Sequence, residues 1–461
     1  MGAAAMEPHA AWPDGLLLAY YGDDFTGSTD AMEAMTAAGV PTVLFLHPPS
    51  PAQLARFPHV RCVGLAGSSR GRPPEWMARE LPPVFDQLAA LGAPILHYKV
   101  CSTFDSSPAI GSIGTAIDLG VARMGGDWSP VVVGAPRLGR YQMFGHLFAV
   151  VDGNGHRLDR HPTMSRHPVT PMAEADLTLH LAQQTERRIE LIHMAQIRAG
   201  QGDAQRQALS GPDTPVVFID VLDDQTLAAA GRLIWEGRGA GLFTASSSGL
   251  QYALAAHWRA QGLLPATPSL PVAAPVSAIA VVSGSCSPVT AGQIALARDN
   301  GFQAERLHLP CALDPRTRAA EIARLLARAD AALSEGLSPL IYSAEGPDDP
   351  AVTGFDAIAA QAGLSRTEAA RTVGTVLAQI MRGMVEAGRV RRVVVAGGDS
   401  SGEVMAALDI AALEIAAGLA PGAPLCRAAS DDPVFDGLEV VLKGGQMGAA
   451  DFFLLARDGP S

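Results

Sequence analysis

LLLAYYGDDFTGSTDAMEAMTAAG, Leu16 to Gly39, passes from an unbroken apolar run through an acidic, hydroxyl-rich turn into a helix-like segment. An apolar run without alternation reads as a strand covered on both faces, and a helix directly after it reads as half of a βαβ unit. The same alternation recurs along the chain. Strands are expected at 16–21, 42–46, 61–67, 95–100, 130–135, 215–221, 277–284, 338–343 and 391–398. Helices are expected at Asp30–Ala38, Glu75–Leu91, Ala173–Gln184, Gly249–Gln261, Thr317–Glu335 and Arg366–Ala387. The class is α/β, with mainly parallel sheets flanked by helices and ligands at the carboxyl ends of strands.

At 461 residues the chain exceeds one ordinary core, so two or three domains are expected. The stretch LLPATPSLPVAAP, Leu263 to Pro275, carries four prolines and no periodicity, and reads as a semi-rigid linker. The division is therefore a domain 1–264, a linker 265–275 and a domain 276–461. FAVVDGNGHRLDR, 148–160, reads as a hairpin turning at DGNG.

Bulk composition narrows the function. A net charge of −12 argues against nucleic-acid binding. No run of 18 apolar residues suggests a membrane span, and the first residues lack the pattern of a signal peptide. Cysteines 62, 101, 286, 311 and 426 stand singly with no Cys-x-x-Cys, which points to a reducing cytoplasm and no structural zinc. Of 34 basic residues only Lys99 and Lys443 are lysines. Where arginine has replaced lysine so widely, the two survivors mark places that need a compact ammonium. Chance survival is the plain alternative, and the motifs around both lysines weigh against it.

Adjacent carboxylates at a strand exit repel and resist burial, so a metal ion, a polyhydroxyl ligand or helix amides must offset them. Asp23 and Asp24 end the first strand, with Ser28 or Thr29 available to cap the helix. Two further polar clusters follow: GLAGSSR, ending in Ser68, Ser69 and Arg70, and YKVCSTFDSS, with Lys99, Ser102, Thr103, Asp105, Ser106 and Ser107. Any one is explained by turn chemistry; three at strand ends suit a small anionic polyol, whose hydroxyls carboxylates accept and whose carboxylate Lys and Arg would pair.

The C-terminal half carries three glycine-rich turns: Ser283, Gly284 and Ser285; Gly397, Gly398, Asp399 and Ser400; and Lys443, Gly444 and Gly445. Glycines let backbone amides approach phosphate oxygens, and a helix N-terminus adds its dipole. GDSSG, Gly398 to Gly402, matches a nucleophile elbow, but no histidine follows His308, so the hydrolase order fails. No Gly-Lys dipeptide and no Gly-x-Gly-x-x-Gly opening a helix occurs, which excludes a Walker loop and a standard dinucleotide fingerprint. His156, His161 and His167 alternate with arginines without metal-site spacing; they read as loop residues, one of which could reach a substrate.

GDDFTGSTD, GLAGSSR, YKVCSTFDSSPAIGSIG, HPVTPMAEADL, VSGSCSPVTAGQI, GGDSSGEV and LKGGQMGAADFF, in that order, together resemble the four-carbon acid sugar kinase family. The resemblance implies a sugar-acid domain followed by a nucleotide domain, an active site in the cleft between them, and ATP with Mg²⁺. The YYGDDFTGSTDAMEAM form is similar to a branch whose acceptor is a branched acid such as 3-oxo-isoapionate. The family's Gly-Gly-Glu-Thr is Gly397-Gly398-Asp399-Ser400 here, and its Lys-Ser-Gly is Lys443-Gly444-Gly445. On this reading Asp24 orients or deprotonates the acceptor hydroxyl, with Asp105 as the other candidate base. Asp23 holds hydroxyls or Mg²⁺, Lys99 and Arg70 hold the carboxylate, Ser102 and Thr103 hold hydroxyls, and Lys443 meets the phosphates. A non-catalytic sensor of sugar acid and nucleotide is the alternative, a carboxylate-activating ligase a third; a homo-oligomer is left open.

Overall fold

A computed structural model describes residues 12–266 and 270–460, except the side chains of Asp399 and Ser400. The N-terminal residues 1–11, on which the absence of a signal peptide was read, lie outside the described residues, as do 267–269 of the expected linker. The chain divides into two compact units, Met1–Ser269 and Leu270–Ser461.

The first unit has eleven strands: β1 (Leu18–Gly22), β2 (Thr42–Phe45), β3 (Cys62–Ala66), β4 (Ile95–Lys99), β5 (Ser129–Val131), β6 (Arg140–Met143), β7 (His146–Val151), β8 (Asn154–Arg157), β9 (Ile189–Ile192), β10 (Val216–Ile219) and β11 (Leu242–Ser246). Strands β11, β4, β1, β3 and β2 pair in that order, all parallel. Their side chains, including Leu18, Val43, Val63, Leu96 and Phe243, are fully buried, as unbroken apolar runs require. Beside them lie a parallel β5–β10–β9 sheet and an antiparallel β6–β7–β8 meander. Val151 pairs with Asn154 across Asp152 and Gly153, both at positive φ (50° and 77°), so the hairpin turns on the first two residues of DGNG.

The second unit contains β12 (Ala280–Ser283), β13 (Phe302–Arg306), β14 (Ser338–Tyr342), β15 (Arg392–Ala396), β16 (Ile410–Ala420), β17 (Ala423–Ser430) and β18 (Glu439–Lys443). β18, β15, β12, β14 and β13 run parallel; β16 and β17 add an antiparallel edge to β18.

Two expectations need correction. The helix after β1 starts at Phe25, five residues earlier than read, because Asp24 is its cap: Asp24 Oδ1 accepts from the Gly27 amide at 2.7 Å. Neither Ser28 nor Thr29 caps it; the Ser28 hydroxyl instead donates to the Asp24 carbonyl at 2.6 Å. The described parts of the 265–275 segment, read as semi-rigid, are tied to their surroundings. Arg259 Nε donates to the Pro265 carbonyl, while Ala273 is buried in the core of the second unit and Ala274 accepts from Arg392 Nη1 at 2.9 Å.

Candidate active site

Register assembles the acidic edge. Gly22 stands beside Ala66 and Lys99, and Lys99 beside Ser246, so the turns leaving β1, β3, β4 and β11 emerge side by side. Backbone bonds continue the stitching: Asp23 N to Lys99 O at 2.9 Å, Arg70 N to Asp23 O at 3.0 Å, and Val100 N to Ser246 O at 2.9 Å. The turn at Ser246–Ser248 was missed in the sequence, although FTASSSG followed by a helical segment has the form of the other three.

Arg70 closes over both acids. Its Nε and Nη2 bond Asp23 Oδ2 and Oδ1 at 3.0 and 2.7 Å, and its Nη1 and Nη2 bond Asp24 Oδ2 and Oδ1 at 2.7 and 2.9 Å. This double fork lets two neighbouring carboxylates share one strand end. Arg70 Nε, Nη1 and Nη2 are thus all engaged by the two acids, and both Asp23 oxygens are bonded to Arg70. Burial pushes the Asp23 carboxyl upward, with the guanidinium opposing it. The Asp24 side chain is 29% exposed against 6% for Asp23, so Asp24 is the acid that faces solvent.

Lys99, the last residue of β4, is 2% exposed; its ammonium donates to Val100 O at 3.0 Å and stands 3.6 Å from Asp30 Oδ2. Gly27 covers this cluster. A Cβ there would lie 2.4 Å from Asp24 Oδ1, 3.1 Å from Lys99 Nζ and 3.5 Å from Arg70 Nη2, so only glycine lets the helix start so close to three charges.

The next turn is built on strain. Phe104 takes φ 55° while its ring is fully buried, 5.7 Å from the ring of Phe218. The Thr103 hydroxyl thereby reaches Asp105 Oδ1 at 2.5 Å and the Cys101 thiol at 2.9 Å. Thr170 donates to the other Asp105 oxygen at 3.3 Å, and the Thr170 amide donates to His167 Nδ1 at 3.0 Å. Burial raises the Asp105 carboxyl, but Thr103 and the charge of Arg70 outweigh it and hold Asp105 below its ordinary range. Asp105 is buried, whereas the Asp24 side chain is partly exposed and so the easier of the two for an acceptor to reach. Ser102 makes no bond with a described residue, so its hydroxyl is open; Thr103 is committed within the network. Thr170, His167 and Asp30 were not singled out as site residues, because their partners lie far along the chain or across a helix turn.

In the second unit, Ser283, Ala396 and Lys443 are the last residues of β12, β15 and β18 and stand in one row. Gly284 N bonds Ala396 O and Gly397 N bonds Lys443 O, both at 2.9 Å, so the three glycine turns emerge together. Gly397 has φ 126°, a conformation open to glycine. The turn at Gly444 and Gly445 abuts Ser285: a Cβ on Gly445 would lie 2.6 Å from Ser285 Oγ. Lys443 is 1% exposed; Nζ donates to Thr290 Oγ1 at 3.0 Å, and Thr290 Oγ1 donates to Gly445 O at 2.8 Å. No carboxylate pairs with this ammonium among the described residues, and burial pulls its pKa down to about 8. Asp399 and Ser400, also expected here, have side chains outside the described residues.

Residues 18–254 match a sugar-binding N-terminal domain and residues 280–453 a nucleotide-binding C-terminal domain. The acidic edge lies within the first match and Lys443 within the second. The chain belongs to the four-carbon acid sugar kinase family. A relative from Paraburkholderia graminis, a 3-oxo-isoapionate kinase, is 69% identical over 449 residues, covering 97% of this chain and 96% of the relative. A 3-oxo-tetronate kinase from Cupriavidus necator is 32% identical, covering 95% of each chain. Among solved structures, one from Salmonella typhimurium LT2 described as a tRNA synthase superposes with a TM-score of 0.77 at 26% identity, over 96% of this chain and 98% of that one. What is shared with that neighbour is the fold. As an acid sugar kinase, the protein carries the two halves that sugar-acid and nucleotide binding require, and no described helix is long and apolar enough to cross a membrane.

Proposed function

We propose that this acid sugar kinase transfers the γ-phosphoryl group of ATP to a hydroxyl of 3-oxo-isoapionate, the acceptor named for its 69%-identical relative. The observation that carries the nucleotide half is Lys443, a buried ammonium with no acid partner among the described residues, at the meeting of three glycine turns. Such a charge is costly to bury alone and is offset when a polyphosphate arrives. Added Cβ atoms at Gly398 and Gly402 would meet nothing within 4 Å, so the backbone at this turn is open to a ligand.

In the acceptor half, Asp24 accepts a hydrogen bond from the attacking hydroxyl through the more exposed of the two carboxylates, and Arg70 and Gly27 hold it in place. The transition state of phosphoryl transfer is loose and asks little of a base, so a carboxylate already bonded to arginine suffices. Ser102 offers a further hydroxyl contact. Mg²⁺ would neutralise the phosphates and be held chiefly by them: no group of three or more His, Cys, Asp or Glu among the described residues could hold a metal, and magnesium commonly keeps few protein ligands. The place of action on this reading is the cytoplasm, in line with five free thiols.

The test is ADP release, coupled to a reporter, across 3-oxo-isoapionate, tetronates and 3-oxo-tetronates, with the product identified as a phosphate ester. Binding of acid and MgATP without ADP release would point to the sensor. An acyl phosphate trapped by hydroxylamine would point to carboxylate activation.

A further inference from the structure

The acidic edge leaves a charge problem. Asp23, Asp24 and Asp30 face only Arg70 and Lys99, and Asp105 adds another carboxylate bonded to hydroxyls rather than to a cation. An acceptor carboxylate brought there meets net negative charge, so a cation not yet spent must receive it.

Arg140, at the start of β6, is such a cation. Its Nη1 is tied to backbone carbonyls, Leu138 O at 3.0 Å with longer contacts to Gly139 O and Val150 O at 3.4 Å. Its Nε is buried without a hydrogen-bond partner, and no carboxylate pairs with Arg140 among the described residues. With Nη1 anchored, Nε–H and Nη2–H are left as one edge of the guanidinium, the two-donor edge that fits a carboxylate.

The surroundings suit an anion. Arg140 pairs with Ala149 and Ala149 with His156 across the meander, so the three side chains stand in one row on one face. The middle residue, Ala149, is small and buried, so the arginine and the histidine flank a short side chain. The His156 ring lies 5.9 Å from that of His161, whose Nδ1 accepts from the Thr163 and Met164 amides at 3.2 Å. The neutral His161 ring therefore carries its proton on Nε2, a donor. Burial, then Arg140 and His156, hold the His161 pKa down, so the ring stays a neutral donor. The segment then returns to the catalytic edge at Thr170, bonded to Asp105, and the Arg140 charge is within reach of the Cys101 thiol that bonds Thr103.

We propose that Arg140, with His156 and His161 around Ala149, is the subsite for the acceptor's carboxylate, in place of Arg70. This rests on the acid sugar kinase reading and specifies how the acid is told from a neutral sugar.

Steady-state kinetics of Arg140→Gln with 3-oxo-isoapionate tests it. The acceptor KM should rise at least ~30-fold, as for truncation of a buried charge pair, with the ATP KM unchanged. Arg140→Lys, which keeps charge and loses the two-donor edge, should fall between Arg140→Gln and the parent, and serves if Arg140→Gln fails to fold. MgATP affinity by calorimetry separates a lost subsite from a general structural fault: a fault moves both substrates. An acceptor KM within threefold of the parent in either folded variant, or equal loss for both substrates, overturns the proposal. If the parent protein turns over no acid sugar at all, the kinase reading fails instead; calorimetric binding of 3-oxo-isoapionate then decides the subsite, which is upheld by loss of binding in Arg140→Lys and overturned by equal binding.

Discussion

ATP affinity should depend on pH through Lys443. Its ammonium is 1% exposed, bonded among the described residues to Thr290 alone, and held at a pKa of about 8, against 10.5 for an ordinary lysine. MgATP selects the protonated form, so the apparent Kd scales with one plus the ratio of neutral to charged lysine. That factor is about 1.3 at pH 7.5 and about 11 at pH 9, an increase of roughly eightfold. MgATP is fully ionised throughout this range and adds no slope of its own. Isothermal calorimetry without acceptor, on the parent and Lys443→Met, measures it. The parent should lose about eightfold between the two pH values; the variant should bind weakly and evenly. The sign for stability runs the other way. Folding lowers this pKa, so between about 8 and 10.5 the unfolded chain holds the extra proton and the ligand-free protein gains stability as pH rises. A parent Kd constant within twofold, or the same slope in Lys443→Met, would remove the ammonium from the phosphates.

Four further outcomes follow from the geometry. Asp24→Asn keeps a residue able to cap the helix, so the melting temperature should move little while kcat falls about 10²-fold or more, read in the ADP-release assay. Gly27→Ala places a Cβ 2.4 Å from Asp24 Oδ1; acceptor turnover should drop at least ~10-fold with MgATP affinity intact, and an active variant would show that the cluster yields. Thr290→Val removes both the acceptor for Lys443 Nζ and the donor to Gly445 O, and should raise the ATP KM by about 10-fold without affecting the acceptor KM. Arg392, 1% exposed, bonds Glu439 and the Ala274 and Ala456 carbonyls; Arg392→Ala should destabilise the second unit by about 3 kcal/mol or more in urea unfolding.

All nine strands read from the sequence exist, because a strand buried on both faces writes itself as a continuous apolar run. Among the strands that escaped, some lack that signature. β16, IAALEIAAGLA, is rich in alanine, a helix former, and is a strand paired antiparallel with β17. The 173–184 segment shows the reverse, with helix confined to Leu177–Leu181, where Asp176 caps it through the Thr178 amide.

By itself, then, the sequence determined the α/β class and the clustering of polar residues at strand ends, and it singled out two lysines, which are the final residues of β4 and β18. Those properties are local: burial, turn chemistry and residue choice act within a few positions of one another. Tertiary structure alone decided which charges remain available. Arg70 meets Asp23 across 47 residues and Lys443 meets Thr290 across 153, pairings set by strand register that leave no periodic trace. A cation already engaged and one still open look alike in a string of letters. Only their neighbours in space tell Arg70 from Arg140.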